Sequence, residues 1–378
     1  MSRVTVAPNL LRWARERACL ALDEVAARFP RYPDWERGES KPTLKQLENF
    51  ARLTSTPFGY LFLDSPPVET LPVPDFRTIR DKPVSRPSPD LLETVQTMER
   101  RQAWMREYLQ EEGGEPLDFV GSASLEDAPE SVAARIRTTL GLEGGWAEQV
   151  ATWEQARGLL REHIEDAGIL VFINGVVGNN THRPLDPEEF RGFVLSDDLA
   201  PLIFVNGADA KAAQMFTMAH ELAHLWLDLS GIFDLHHLMP TQDRAELFCN
   251  RVAAEFLVPQ AEFEPVWRAN FTSSRRFLQL ARRFKVSQLV VARRALDLGF
   301  ISRDEFLAFY RAHLSDSSGG TESAGGDFWK VQTYRVGDRF ARTVVRAAKE
   351  GRLLYREAYS LVGLQGAAFQ KLADRLTP

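Results

Sequence analysis

The spacing of apolar residues changes along the chain, and it predicts helices toward both ends with strands between them. Residues 1–64 place apolar side chains three and four positions apart and predict a small helical unit. Helical spacing resumes at 90–110, 129–140 and 152–167. Short β-type runs follow at 169–173, 193–196 and 202–206, and helical periodicity returns from Ala210. We therefore expect a mostly helical α+β fold in which a small sheet packs on the helix that begins near Ala210.

Two segments of biased composition predict linkers. Seven prolines fall between 66 and 89, and prolines at that density favour an extended, semi-rigid chain. A second segment, 315–326, is rich in Ser and Gly. The predicted organisation is a helical module at 1–64, a linker at 65–89, a main domain at 90–262, a basic helical segment at 263–314, a linker at 315–326 and a C-terminal helical segment at 327–378.

Composition narrows the class of protein. The 378 residues are 44% hydrophobic and carry a net charge of −6, so any surface for nucleic acid is expected to be a local patch. No apolar run reaches the roughly 20 residues that cross a bilayer, and the first residues lack a signal-peptide pattern. Only Cys19 and Cys249 are present, which is too few for a disulfide framework. These features predict a cytoplasmic protein that has no membrane partner.

The segment 220–224, HELAH, predicts a metal site. Residues four apart lie on one face of a helix, so the imidazoles of His220 and His224 can bind one ion. Glu221 lies about 100° around the helix, where its carboxylate can act as a general base without being a ligand. The expected ion is Zn²⁺. A coincidental spacing on a surface helix and a degenerate site that no longer binds metal are the alternatives.

A catalytic zinc needs a third protein ligand, for which Glu246 on the next helix is the candidate. Its helical face is otherwise small and apolar, and an unpaired carboxylate there would be costly. Asp243 is an alternative ligand or a supporting residue, and Asn250 is a candidate for orienting a ligand. Cys249 either binds zinc or packs as a buried side chain. The loop histidines His236 and His237 are candidates for stabilising the transition state.

Two stretches resemble the ImmA/IrrE family of metallo-endopeptidases, in the long form with an N-terminal XRE-type helix-turn-helix region. The first is QMFTMA at 214–219, leading into HELAH. The second, ELFCNRVAAEFLVP at 246–259, is similar to the pattern E-x-x-A-N-x-F-A-x-x-L-L-x-P, with Cys249 in place of Ala and Val252 in place of Phe. The resemblance implies a metal-binding role for Glu246. It also implies cleavage of a repressor or other regulator, often encoded nearby, in stress responses, or an antitoxin-like role beside a toxin partner.

The N-terminal module departs from the XRE pattern. The segment 35–44, WERGESKPTL, is similar to the part of that pattern that follows the recognition helix. Only five residues, two of them proline, separate Phe29 from Trp35, which is too few for a helix that fills a major groove. We therefore expect a truncated recognition helix and an interaction or structural role for this module.

A second nucleic-acid candidate lies at 270–311, where nine Lys and Arg residues oppose three acidic residues. The run 280–296 has the pattern of a helix, a turn containing Ser, and a second helix. The candidate contacts are Arg282, Arg283, Lys285, Arg293 and Arg294. The alternative is a solvated face of a helical bundle that packs on the main domain.

Two functional hypotheses follow. The first is a zinc-dependent endopeptidase that cleaves a repressor-type regulator by attack of water on a zinc-polarised peptide bond, with Glu221 moving the proton. The second is an antitoxin-like or DNA-binding transcriptional regulator whose zinc site is structural or inactive. A structural zinc normally has a fourth Cys or His ligand, so Cys249 on the metal would favour the second hypothesis.

Overall fold

The structure is a computed structural model that describes residues 3–69, 71, 78–79, 82–83, 87–233, 243–269, 275–316 and 328–376. Two compact units are present, one formed by Met1–Pro72 with Val84–Gln96 and the other by Val73–Pro83 with Thr97–Pro378. The prediction of a mostly helical α+β fold is confirmed. Parts of both proposed linkers lie outside the described residues, and the domain boundaries stay a prediction.

The first unit is a small helical bundle. Its helices are α1 (Pro8–Arg17), α2 (Leu22–Arg28), α3 (Tyr32–Arg37) and α4 (Leu44–Leu53), followed by a 3₁₀ helix at Phe58–Phe62. The core contains Val25, Tyr32, Trp35 and Phe50, all nearly inaccessible to solvent. Helix α3 is shorter than two turns, and its residues Tyr32 and Trp35 pack in this core.

The second unit contains most of the helices, including the part of α5 (Pro89–Glu111) from Thr97 onward. The next helices along the chain are α6 (Pro129–Leu140) and α7 (Trp153–Asp166), with a 3₁₀ helix at Trp146–Gln149 between them. The central helices are α8 (Lys211–Trp226), α9 (Arg244–Leu257) and α10 (Gln260–Ala269). The later helices are α11 (Arg276–Phe284), α12 (Gln288–Asp297), α13 (Arg303–Asp316), α14 (Phe328–Val336), α15 (Asp338–Lys349), α16 (Tyr355–Val362) and α17 (Gly366–Leu376).

A four-stranded mixed sheet lies beside α8. Its strands are β3 (Leu170–Asn174), β6 (Gly192–Leu195), β7 (Leu202–Asn206) and β8 (Gly231–Phe233). Their order is β3-β7-β6-β8, with β3 parallel to β7 and the other pairs antiparallel. Short antiparallel pairs are formed by β1 (Thr78–Ile79) with β2 (Lys82–Pro83) and by β4 (Val176–Val177) with β5 (Asn180–Pro184). Three strands of the sheet match the three predicted runs, whereas β8 is additional.

Both faces of the sheet are covered. Alternate residues of a strand point to opposite faces, so Val171 and Ile173 belong to the core shared with α8, while Phe172 lies on the other face. There Phe172 meets Phe340 of α15 edge to face, with ring centroids 5.5 Å apart. The C-terminal helices therefore complete the core of the second unit. Among the described residues, no helix has both the length and the apolar character needed to cross a membrane.

Local contacts define the start of α5 and the pairing of α9 with α12. Ser88 caps α5, since its Oγ accepts a hydrogen bond from the Leu91 amide at 3.1 Å. The buried carboxylate of Glu255 on α9 faces α12 and pairs with Arg294. The predicted basic helical segment, 263–314, overlaps four helices, α10 to α13.

Candidate metal centre

The two histidines of the HELAH segment lie one turn apart on a fully buried stretch of α8. Every residue from Gln214 to Trp226 is buried, and neither His220 nor His224 has measurable solvent exposure. Their Nε2 atoms are 2.9 Å apart. The two imidazoles therefore point at a common position, as the spacing of four residues predicts.

Helix α9 brings the carboxylate of Glu246 to the same position. One carboxylate oxygen lies 3.3 Å from Nε2 of His220, and the other lies 3.2 Å from Nε2 of His224. One ligand atom from each of the three residues falls within 4.8 Å of the others, and no other such group of His, Cys, Asp and Glu occurs in the described part of the chain. Two nitrogens and one carboxylate oxygen form a donor set typical of catalytic zinc.

The pKa values of His224 and Glu246 favour the protonation states that bind a metal ion. Burial outweighs the attraction of Glu246 and lowers the pKa of His224 to about 4. Burial alone would raise the pKa of Glu246, but His220 and His224 outweigh it and lower that pKa to about 2. At neutral pH the imidazole of His224 is therefore neutral and the carboxylate is ionised, which are the forms that bind a metal ion.

Asp243 supports the centre from outside the group of donors. It is the N-cap of α9, and its Oδ1 accepts hydrogen bonds from the amides of Ala245 at 2.8 Å and Glu246 at 3.2 Å. The cap therefore fixes the backbone of the residue whose carboxylate meets the histidines. Asp243 does not belong to the group of three potential metal ligands, His220, His224 and Glu246.

Glu221 is a buried carboxylate with no hydrogen-bond partner in the part of the chain that the structure describes. Its side chain has no measurable exposure, and neither carboxylate oxygen has a hydrogen-bond partner among the described residues. Burial and the nearby charge of Glu246 raise the pKa of Glu221 well above its ordinary value. A buried polar group without a partner is costly, so this arrangement fits a site that also holds a metal ion, water or a substrate.

Glycine at position 192, which sequence reasoning did not single out, makes room for Glu221. A Cβ atom at this position of β6 would lie 2.5 Å from Cγ2 of Thr217 and 3.1 Å from Oε1 of Glu221. The sheet therefore approaches α8 closely because residue 192 has no side chain. Nothing in the local pattern of apolar residues predicts this approach.

The buried residue Gln214 anchors the start of α8 and was not predicted as a functional residue. Its Nε2 donates to the backbone oxygens of Gly207 at 3.1 Å and Asp209 at 2.6 Å, and its Oε1 accepts from Arg157 at 2.5 Å. These bonds tie α8 to the loop after β7. The only sequence signal is its place in the QMFTMA stretch.

Cys249 and Asn250 follow Glu246 on α9 but occupy different surroundings. The sulfur of Cys249 lies 3.5 Å from Nδ1 of His224, so it contacts the ring nitrogen that does not meet Glu246. Oδ1 of Asn250 has no hydrogen-bond partner within the described ranges, and this residue lines a cavity beside Phe216. His236 and His237 lie outside the described residues.

The five basic candidates divide into buried and exposed positions. Arg294 is buried against Glu255 and donates to the backbone oxygen of Val258 at 3.0 Å, while Lys285 is buried and donates to the backbone oxygen of Arg282 at 2.7 Å. We therefore withdraw these two as phosphate contacts, because their charges are used inside the fold. Arg293 pairs with Asp297 and Arg283 with Glu148, whereas Arg282 is exposed.

Comparisons with known families agree with this geometry. Residues 164–296 match the model of the peptidase M78 family, described as the IrrE N-terminal-like domain. This match runs from the end of α7 into α12 and includes both histidines and Glu246, so this part of the chain is similar to a metallopeptidase-type domain. Residues 336–375 match a domain of unknown function (DUF8813). No curated protein and no solved structure shows significant similarity to the chain.

Proposed function

We propose that the chain is a zinc-dependent endopeptidase whose substrate is a regulatory protein of repressor type. The observation that carries this proposal is the convergence of His220, His224 and Glu246 beside the unpartnered carboxylate of Glu221. The match to a peptidase family over the same residues supports a hydrolase. The resemblance to the ImmA/IrrE family supports a regulator, encoded nearby, as substrate.

His220, His224 and Glu246 would hold the metal ion. When bound there, zinc supplies polarisation of the scissile carbonyl and favours ionisation of the attacking water. Glu221 takes the proton from that water and later passes it to the leaving amine, which is the task of a general base that becomes a general acid. The raised pKa of Glu221 suits this task, because a carboxyl that protonates readily returns the proton to the amine.

A catalytic centre fits the donor set better than a structural one. Three protein donors leave a position open on a tetrahedral ion, whereas structural zinc sites fill the fourth with Cys or His. The only cysteine near the centre, Cys249, contacts Nδ1 of His224 and is not one of the grouped donors. This contact supports the endopeptidase over the regulator with a structural zinc.

The experiment compares the full-length chain with Glu221→Gln, both loaded with zinc and mixed with synthetic peptides of randomised sequence. Mass spectrometry identifies new peptide ends, and elemental analysis measures bound zinc. We expect cleavage by the wild type, a loss of about 10²-fold or more in rate for Glu221→Gln, and equal zinc content in both. Absence of cleavage by the zinc-loaded wild type, or equal rates in the two proteins, rules out the proposed chemistry.

The second candidate is an antitoxin-like or DNA-binding regulator, and one observation favours its DNA-binding form. Helices α11 and α12 are joined by a short turn in which Ser287 caps α12, with Oγ accepting from the Val290 amide at 3.1 Å. Arg282 and Arg283 are exposed on α11. Filter binding of duplex DNA across a salt series tests this candidate, since each phosphate contact adds about 0.9 to the slope of log affinity against log salt. A smaller salt slope in Arg282→Ala than in the wild type supports the DNA-binding candidate. Retention of DNA that does not depend on salt concentration excludes this candidate.

A further inference from the structure

A cavity of about 80 Å³ lies between α8, α9 and α12. Phe216, Leu247 and Val290 form part of its wall, and Asn250, Arg251 and Asp297 supply polar groups. An enclosed cavity of about 150 Å³ accommodates benzene. The cavity beside α9 is therefore large enough for a short amino-acid side chain. Its polar wall groups suit a side chain with a polar end.

The cavity lies about one helical turn from the metal-binding residues along both α8 and α9. Phe216 precedes His220 by four residues on α8, and Asn250 follows Glu246 by four residues on α9. Four residues of helix advance roughly 6 Å, and one residue of an extended peptide advances about 3.3 Å. A side chain in the cavity thus belongs to a substrate residue within about two positions of the bond at the metal centre.

The charges around the cavity favour an anionic occupant. Arg294 pairs with Glu255, and Arg293 pairs with Asp297 at 2.9 Å. The exposed Arg251 has no ion pair within the described ranges, so its positive charge is not balanced there. A guanidinium binds a carboxylate through two parallel hydrogen bonds, which gives recognition by geometry as well as charge.

Asn250 adds a group suited to the main chain of a peptide. Its Oδ1 is shielded from solvent and has no hydrogen-bond partner in the described part of the chain. A side-chain amide can accept from a peptide N–H through its oxygen and donate to a peptide carbonyl through its nitrogen. Asn250 therefore provides a partner for the backbone of the same residue whose side chain enters the cavity.

We propose that this cavity is the subsite for an acidic side chain, Asp or Glu, of the protein substrate, with Arg251 reading the charge and Asn250 positioning the main chain. The proposal rests on the proposed function, because the occupant is a residue of the peptide held at the metal centre. It names a substrate preference that the metal-binding group alone does not define.

The test uses the zinc-loaded full-length chain and the peptides of randomised sequence described above. We expect Asp or Glu to be favoured about tenfold over Asn or Gln at one fixed position, within two residues of the cleaved bond, as one charge-assisted hydrogen bond provides. In Arg251→Glu the preference should disappear or turn to Lys and Arg. Arg342→Glu reverses the charge of an exposed residue on α15 and serves as the matched control, with an unchanged preference.

The outcomes separate the subsite from the peptidase. If the chain cleaves peptides with no acidic preference, or with a preference that Arg251→Glu leaves unchanged, the proposed subsite is overturned and the proposed peptidase activity stands. If no peptide is cleaved, the peptidase fails, and the subsite is then tested by retention of the same peptides on the immobilised zinc-loaded chain. Enrichment of Asp and Glu among the retained peptides that is lost in Arg251→Glu supports the subsite. Retention without such enrichment overturns it.

Discussion

The sulfur of Cys249 lies 3.5 Å from Nδ1 of His224, while Nε2 of the same ring lies 3.2 Å from a carboxylate oxygen of Glu246. The two ring nitrogens of His224 therefore have different partners. A proton on Nδ1, directed at the sulfur, leaves the lone pair of Nε2 available for a metal ion. Groups that contact the outer nitrogen of a metal-binding histidine fix its tautomer and ring orientation.

Removal of this contact should weaken zinc binding. We expect Cys249→Ala to lower zinc affinity by about tenfold or more, the usual effect of losing such a partner. Cys249→Ser keeps an acceptor near Nδ1 and should lose less. Competition with a coloured zinc chelator gives the affinities. Cys19→Ser, which changes an exposed cysteine of the first unit, is the control, and equal affinities in Cys249→Ala and the wild type would refute a role for the sulfur.

Asp243 and Glu246 should respond differently to the same replacement of carboxylate by amide. Glu246→Gln removes an ionised donor, so we expect zinc to be lost on dialysis. Asp243→Asn keeps an oxygen that caps α9, and Asn is as good an N-cap as Asp, so zinc should remain bound. Asp243→Ala should lower the free energy of unfolding by about 1 kcal/mol. Elemental analysis and urea unfolding provide the two measurements, and loss of zinc from Asp243→Asn would instead make Asp243 a ligand.

The close approach of β6 to α8 predicts the effect of a single methyl group. In Gly192→Ala the new Cβ meets Thr217 and Glu221, so we expect a loss of about 1–3 kcal/mol in the free energy of unfolding, typical of overpacking. Peptide cleavage should fall further than zinc content, because Glu221 is among the groups that the new Cβ crowds, together with Thr217 and the backbone oxygen of Phe204, whereas none of His220, His224 and Glu246 is. Gly59→Ala is the control, since a Cβ there meets no atom within 4 Å. Wild-type stability and cleavage in Gly192→Ala would contradict the close approach.

The parts of the site that were predicted from the sequence depend on helix geometry. His220 and His224 share a face because they are four residues apart. Glu246 was selected because a carboxylate on a small apolar face requires a partner. The structure brings these three side chains together, with Asp243 capping the helix that carries Glu246.

The parts that were missed depend on contacts between distant segments. Glu255 has Arg251 four positions away, yet its partner is Arg294 of α12, 39 residues later. Gly192, on a separate strand, leaves open the space beside Glu221 that a Cβ atom would fill. A count of basic residues also cannot separate the exposed Arg282 from the buried Lys285, because burial depends on how α11 packs against its neighbours.

The contact between α7 and α15 predicts a pH dependence of stability. Glu165 is buried near Arg161, Asp338 and the amide of Arg339, and burial, with a smaller contribution from Asp338, raises its pKa to about 7 against the opposing charge of Arg161. A carboxyl with a raised pKa in the fold contributes stability below its ordinary value of 4.5, and that contribution is lost as the pH rises through 7. Glu165→Gln cannot ionise, so its free energy of unfolding should fall less between about pH 5 and about pH 8, by at most about 3 kcal/mol. Urea unfolding at the two pH values measures the difference, with the exposed Glu162→Gln on the same helix as control. An equal fall in wild type and Glu165→Gln would show that Glu165 is already ionised at pH 5, despite its burial.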